Sequence, residues 1–148
     1  MGLPYNVFIG AFLSKISEYE FCQMDDFAKD YIVTGYMKRA CAQFNKVCKY
    51  DLGSFDDNLR ELVVDIKDSD IDEIVDIVSE GMLVHWMKPY VYQQDNLQNV
   101  LNTRDFTSYS PAELLFRIRS AYTSAQRDFT NKMRDYSYDH GDLTDLHL

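Results

Sequence analysis

The sequence predicts an all-α protein, a small bundle of about four to five helices with an extended C-terminal tail. Three observations carry that expectation. Apolar residues recur every three or four positions along several stretches. Ser110-Pro111-Ala112-Glu113 has the chemistry of a helix start. Of the 148 residues, 46% are apolar, which is enough for one buried core and argues against wholesale disorder.

Pro4 sits where a helix can begin, since its missing N–H would find no partner there. Between Tyr5 and Ile16, the residues Phe8, Ile9, Phe12, Leu13 and Ile16 share one face and read as a short helix. Glu18 to Gln23 reads as a connection, and Asp25 or Asp26 can cap the next helix through a side-chain oxygen. That helix is expected over about Asp26 to Cys48, burying Ile32, Tyr36, Ala40, Phe44 and Val47. Gly35 within it costs about 1 kcal/mol relative to Ala, which close approach of another helix would offset.

Lys49 to Lys67 has less pattern. Asp51, Gly53, Ser54, Asp56 and Asp57 are turn formers, and Leu59 to Ile66 reads as an irregular link in preference to a short strand. Ser69 opens a third helix, with Asp72 and Glu73 at the positive end of its dipole. Ile71, Ile74, Val75, Val78, Met82 and Trp86 form its stripe. Pro89 is expected to break or kink it near Lys88, with a further turn or two to Tyr92 and a short helix over Asp95 to Asn102.

The plainest helix runs from Pro111 to about Tyr138. Ser110 is its cap, Glu113 can reach back to it, and Leu115, Ile118, Tyr122, Ala125, Phe129, Met133 and Tyr136 make the stripe. His140-Gly141 stops it. The domain reading is one helical domain over 1–138 and a tail over 139–148. That tail is too short and polar for a core of its own, yet it carries Leu143, Leu146 and Leu148.

Charge narrows the function. The chain carries a net −9, with 24 acidic against 15 basic residues, whereas proteins that grip phosphate backbones show a basic stripe. The basic residues of the last helix (Arg117, Arg119, Arg127, Lys132, Arg134) are interrupted by Glu113, Asp128 and Asp135, so DNA binding is not the expected function. Eleven Tyr against a single Trp suit surfaces that become interfaces, because a Tyr hydroxyl can stay wet or find a partner. Cys22, Cys41 and Cys48 read as reduced, buried thiols; MGLPYNVF lacks the basic and apolar regions of a secretory signal. Met1-Gly2 fails as a myristoylation start because Asn6 stands where Ser or Thr is needed.

Reaction chemistry is sparse. Asp68, Asp70 and Asp72 alternate as in a calcium loop, but the required Gly and Glu positions hold Glu73 and Ser79. An acid-rich helix start facing solvent is the simpler reading. Cys41 and Cys48 stand two turns apart with no CxxC pair, His85 reads as a packed side chain, and His140 with Asp139 and Asp142 is poorly organised for a metal. No GxSxG or Gly-rich phosphate loop is present. The expectation is a protein without catalytic centre, cofactor or metal.

Four phrases bear a resemblance: FLSKISEYEF, GYMKRACAQF, EGMLVHWMKPYVYQQDNLQNVLNTRDFTSYSPAELL and DYSYDHGDL. The most specific is the third, with Trp86, Lys88, Pro89, Asn96, Leu97, Asp105, Phe106, Tyr109 and Ser110. Together they resemble the head–tail connector, or adaptor, neck proteins of siphophages that infect Gram-positive bacteria. The resemblance implies a virion protein made in the host cytoplasm and assembled as a homo-oligomeric ring, typically of twelve copies. It implies the portal protein on one side, stopper or other neck and tail proteins on the other, and genomic DNA passing through without specific binding or any membrane. Adaptors of such necks are helical whereas stoppers and tail terminators are β-rich, so the helix pattern selects the adaptor.

On that reading, Tyr138, Leu143, Leu146 and Leu148 contact the portal or a neighbouring subunit. Asp68, Asp70, Asp72 and Asp76 are candidates to face the DNA channel and repel phosphate. Two rivals make other demands. A small helical enzyme or ligand-binding domain needs a deep pocket with convergent polar groups. An acidic regulatory protein binding a host partner needs a stable small oligomer in the absence of portal.

Overall fold

A computed structural model describes residues 2–16, 26–92 and 111–140. The amphipathic segments fold as four helices among these residues: α1 (Tyr5–Ile16), α2 (Asp26–Phe44), α3 (Asp68–Tyr92) and α4 (Pro111–His140). α3 is the centre, with α1, α2 and α4 packed along it. Its sequence explains that place: Ile74, Val75, Ile77, Val78, Met82, Leu83, Val84, Trp86 and Met87 are all buried, so it needs neighbours on several sides. α1 and α4 present narrower stripes. Phe8, Phe12 and Ile16 come from the first; Ile118, Tyr122, Ala125, Phe129 and Tyr136 come from the second. Leu115 lies outside the described side chains.

Aromatic edges lock the helices pairwise. Phe12 meets Trp86 at 6.3 Å and 78°, and Phe44 meets Tyr136 at 4.9 Å and 82°, both edge-to-face. The close helix approach occurs at Gly81, not at Gly35. A Cβ at position 35 would meet nothing within 4 Å; at 81 it would lie 2.7 Å from Phe129 Cζ and 2.8 Å from Ala40 Cβ. Gly81 is thus where α2, α3 and α4 converge.

α2 departs from expectation in two ways. Its buried face is Val33, Met37, Ala40, Cys41 and Phe44, while Ile32 and Val47 are exposed and Tyr36 is half-buried. It also stops at Phe44, four residues early. The amides of Asn45 and Cys48 turn back to the carbonyls of Cys41 and Phe44, and Asn45 Oδ1 accepts from the Leu52 amide at 2.9 Å. A short polar side chain that satisfies backbone outside the helix competes with its continuation. Cys48 therefore lies off the helix that carries Cys41.

The linking region is more ordered than the favoured irregular reading. It forms a small antiparallel sheet of order β1-β3-β2, with β1 (Leu3–Pro4), β2 (Phe55–Asp56) and β3 (Glu61–Leu62). Leu62 pairs with both Leu3 and Phe55 and is fully buried. Pro4 is tolerated because β1 is an edge strand. Asp56 Oδ1 accepts the amides of Asn58 and Leu59 at 3.0 and 3.1 Å, and Arg60 takes a left-handed φ of 55° to complete the turn. The Arg60 carbonyl then accepts the Tyr5 amide at 2.9 Å, fastening the start of α1 to the sheet.

Pro89 neither ends α3 nor separates it from Tyr92; the helix continues through it. α4 runs two residues past its expected end. The Glu18–Gln23 connection, Asp25, the Asp95–Asn102 helix, the Ser110 cap and the tail from Gly141 lie outside the described residues, as does Cys22.

Candidate functional site

The four aspartates expected to share one role have different surroundings. Asp68 and Asp72 are exposed. Asp70 is only 7% exposed, so the helix start does not turn all its acids to solvent. Its Oδ2 accepts from the Tyr50 hydroxyl at 2.7 Å and meets Lys49 Nζ at 3.2 Å, while the Lys67 amide donates to that hydroxyl. The hydrogen bond to Asp70 raises both the Lys49 and the Tyr50 titration. Asp70 thereby closes the linking region onto α3, a structural duty that a near-buried carboxylate requires.

Asp76 and Glu80 sit one turn apart on α3 and are shared by Lys15 of α1 and Lys132 of α4. Lys15 Nζ lies 2.8 Å from each acid; Lys132 Nζ lies 2.7 Å from Asp76 and 3.3 Å from Glu80. Burial pushes the Asp76 carboxyl upward, but the hydrogen bonds from Lys132 and Lys15 outweigh it and hold it below the usual 3.8. This network ties three helices and was not visible as a motif. Its one sequence sign is a lysine beside each stripe, Lys15 before Ile16 and Lys132 before Met133.

A pH dependence follows from Asp76. Because its folded titration lies below the unfolded value, its contribution to stability is complete above about pH 3.8 and is lost as pH falls further. Asp76→Asn should therefore lower stability by about 1 kcal/mol at neutral pH, a small effect because the pair is partly exposed. In urea titrations across pH, the gap from the parent chain should narrow in acid. A gap that stays constant contradicts the assignment.

Other polar groups are tied into the fold. The Tyr5 and Lys38 side chains both donate to Asp57 Oδ1, at 2.7 and 2.8 Å. The Lys38 bond, then Tyr5, hold Asp57 below the ordinary carboxylate range, while burial and the Asp57 contact push the Tyr5 hydroxyl well up. His85 is half-buried with Nε2 2.9 Å from Gln43 Oε1; burial, then Arg39 and Lys88, lower its titration from 6.5. Cys41 and Cys48 are free thiols. Burial pushes the Cys41 thiol up to about 12 and raises Cys48, so neither is primed as a nucleophile. Among the described residues, no group of three or more His, Cys, Asp or Glu is placed to hold a metal ion.

What the surface offers is apolar. Tyr31 is 86% exposed, Phe116 72% and Tyr138 54%, with Ile32, Val47, Leu59 and Val63 also outward. Five of them border separate depressions: Tyr31 and Ile32 beside Lys38, Arg39 and Arg60; Phe116 beside Glu113 and Arg117; Val47 and Tyr138 beside Lys46 and Arg134. Apolar side chains exposed singly are ordinary on a protein surface; contiguous apolar patches are what mark contact surfaces. Of the expected tail contacts, Tyr138 stands exposed on α4; Leu143, Leu146 and Leu148 lie outside the described residues. No helix among the described residues is long and apolar enough to cross a membrane.

No protein-family model matches the chain, and neither the curated proteins nor the solved structures contain a match to it.

Proposed function

We propose that this protein is a head–tail adaptor, a non-enzymatic subunit that forms a ring beneath the portal of a tailed bacteriophage and links the DNA-filled head to the tail. One observation carries the reading: α2 and α4 each keep large apolar side chains outside the core, Tyr31 and Ile32 on one, Phe116 and Tyr138 on the other. A ring contact is head-to-tail, so each subunit must offer two different surfaces that fit one another. The largely helical fold supports adaptor over the β-rich stopper and tail terminator that the sequence resemblance sets beside it.

The acids are assigned accordingly. Asp68 and Asp72 are exposed, whereas Asp76, also partly exposed, is held by Lys15 and Lys132, so the first two line the conduit in this proposal. Asp70 and Asp76 act within the subunit. Twelve copies at −9 each carry about −108, which repels DNA phosphate and lets the genome pass without gripping it.

The test is capture on the portal encoded by the same virus. Full-length protein should co-sediment with portal and appear as an added ring in negative stain, whereas a chain lacking residues 139–148 should remain helical by circular dichroism and lose at least tenfold in binding. Failure of the full-length chain to associate with portal removes the proposal.

A further inference from the structure

We propose that residues 141–148 of this chain dock, in the free subunit, into the groove between the end of α2 and the last turns of α4. The groove has a volume of about 500 Å³ and is walled by Lys46, Val47, Met133, Arg134 and Tyr138. Gln43, Thr130 and Ser137 complete its lining, and Val47, Met133 and Tyr138 give it an apolar part. Neither of its two cations, Lys46 and Arg134, meets a carboxylate among the described residues, whereas Lys15, Lys38, Lys49 and Lys132 all do. An apolar trough flanked by two available cations fits a segment that alternates acids with leucines.

The chain carries such a segment immediately beyond the groove. Asp142-Leu143 and Asp145-Leu146 are two successive acid–leucine pairs, followed by Leu148. The acids match Lys46 and Arg134, and the leucines match Val47, Met133 and the Tyr138 ring. Reach is sufficient. Eight extended residues span about 27 Å, while the α4 wall from Thr130 to Tyr138 is about 12 Å long. Gly141 follows the last helical residue, His140, and glycine readily supplies the left-handed conformation with which chains leave helices and reverse.

The occupant is the chain's own segment and not that of a second copy. A tether this short gives an effective concentration in the millimolar range, far above the micromolar concentration of free subunits. The proposal does not rest on the neck reading, and its test uses the isolated full-length chain.

The experiment places the photo-crosslinker p-benzoylphenylalanine at Leu146 and maps its products by mass spectrometry, using a mixture of light and nitrogen-15-labelled protein. The expected product joins position 146 to the Lys46–Val47 or Met133 region within one chain, in a yield independent of concentration. Lys46→Glu with Arg134→Glu should cut that yield at least fivefold without altering the circular dichroism spectrum. Adding Asp142→Lys and Asp145→Lys to that variant should restore it. Absence of a crosslink, a product elsewhere on the fold, mixed light–heavy products or a yield indifferent to the charge reversals would each overturn the proposal.

Discussion

Trp86→Ala should lower the free energy of unfolding by about 3–5 kcal/mol. Trp86 is 1% exposed, on α3, with its ring edge-to-face against Phe12 of α1. Truncation removes the biggest fully buried side chain and leaves a cavity that the close-packed surroundings fill only in part. A domain of this size has about 5–15 kcal/mol in total, so the variant stands near its folding threshold. Trp86 is also the single tryptophan, so circular dichroism in urea is the suitable probe. Trp86→Phe should lose much less, because a ring still fills most of the space. A loss under about 1 kcal/mol for Trp86→Ala would contradict the packing described for α3.

Gly81→Ala should destabilise by about 1–3 kcal/mol, against the usual sign for such a change in a helix. Propensity alone favours Ala by about 1 kcal/mol. Three contacts oppose it: the new Cβ would stand 2.7 and 2.9 Å from two Phe129 ring atoms and 2.8 Å from Ala40 Cβ. The Phe129 ring is buried and has no room to retreat, and Ala40 Cβ moves only with the α2 backbone. Steric overlap therefore wins. Combining Gly81→Ala with Ala40→Gly should cost less than the two single effects added, since one clash is removed. Thermal unfolding of the three variants checks this; stabilisation by Gly81→Ala contradicts it.

These two residues also show what could be read before folding. Trp86 was legible because Ile74, Val78, Met82 and Trp86 repeat along α3 with one clear period, as do Ile118, Tyr122, Ala125 and Phe129 along α4. α2 offers two adjacent apolar pairs, Ile32 with Tyr36 and Val33 with Met37. Choosing between them rotates the helix by about 100°, and the period alone cannot decide. Ala40 belongs to either face, so what decides is that Val33, Met37 and Cys41 enter the core, and that is a fact about several helices.

The sheet was missed for a different reason. Strands of two residues have no period, so Leu62 becomes a core residue only once Leu3 and Phe55 flank it. Pro89, expected to break or kink α3 through its lost donor and steric clash, does not break it: the helix continues to Tyr92. Ion pairs were the least legible feature. Lys15 and Asp76 are 61 positions apart, and Lys132 and Asp76 are 56 apart. Nothing in spacing brings them together, so two of the four aspartates grouped by sequence proximity turned out to have partners inside the fold.

Whether the faces left outside this bundle serve assembly, as proposed above, is answered by native mass spectrometry of the full-length chain, alone and with the portal ring. The expected result is a complex in which each portal ring carries a closed set of copies, twelve by resemblance, and none in partial occupancy at saturating protein. A chain whose mass is unchanged by portal, or which carries a tightly held small molecule and stays single, would contradict it.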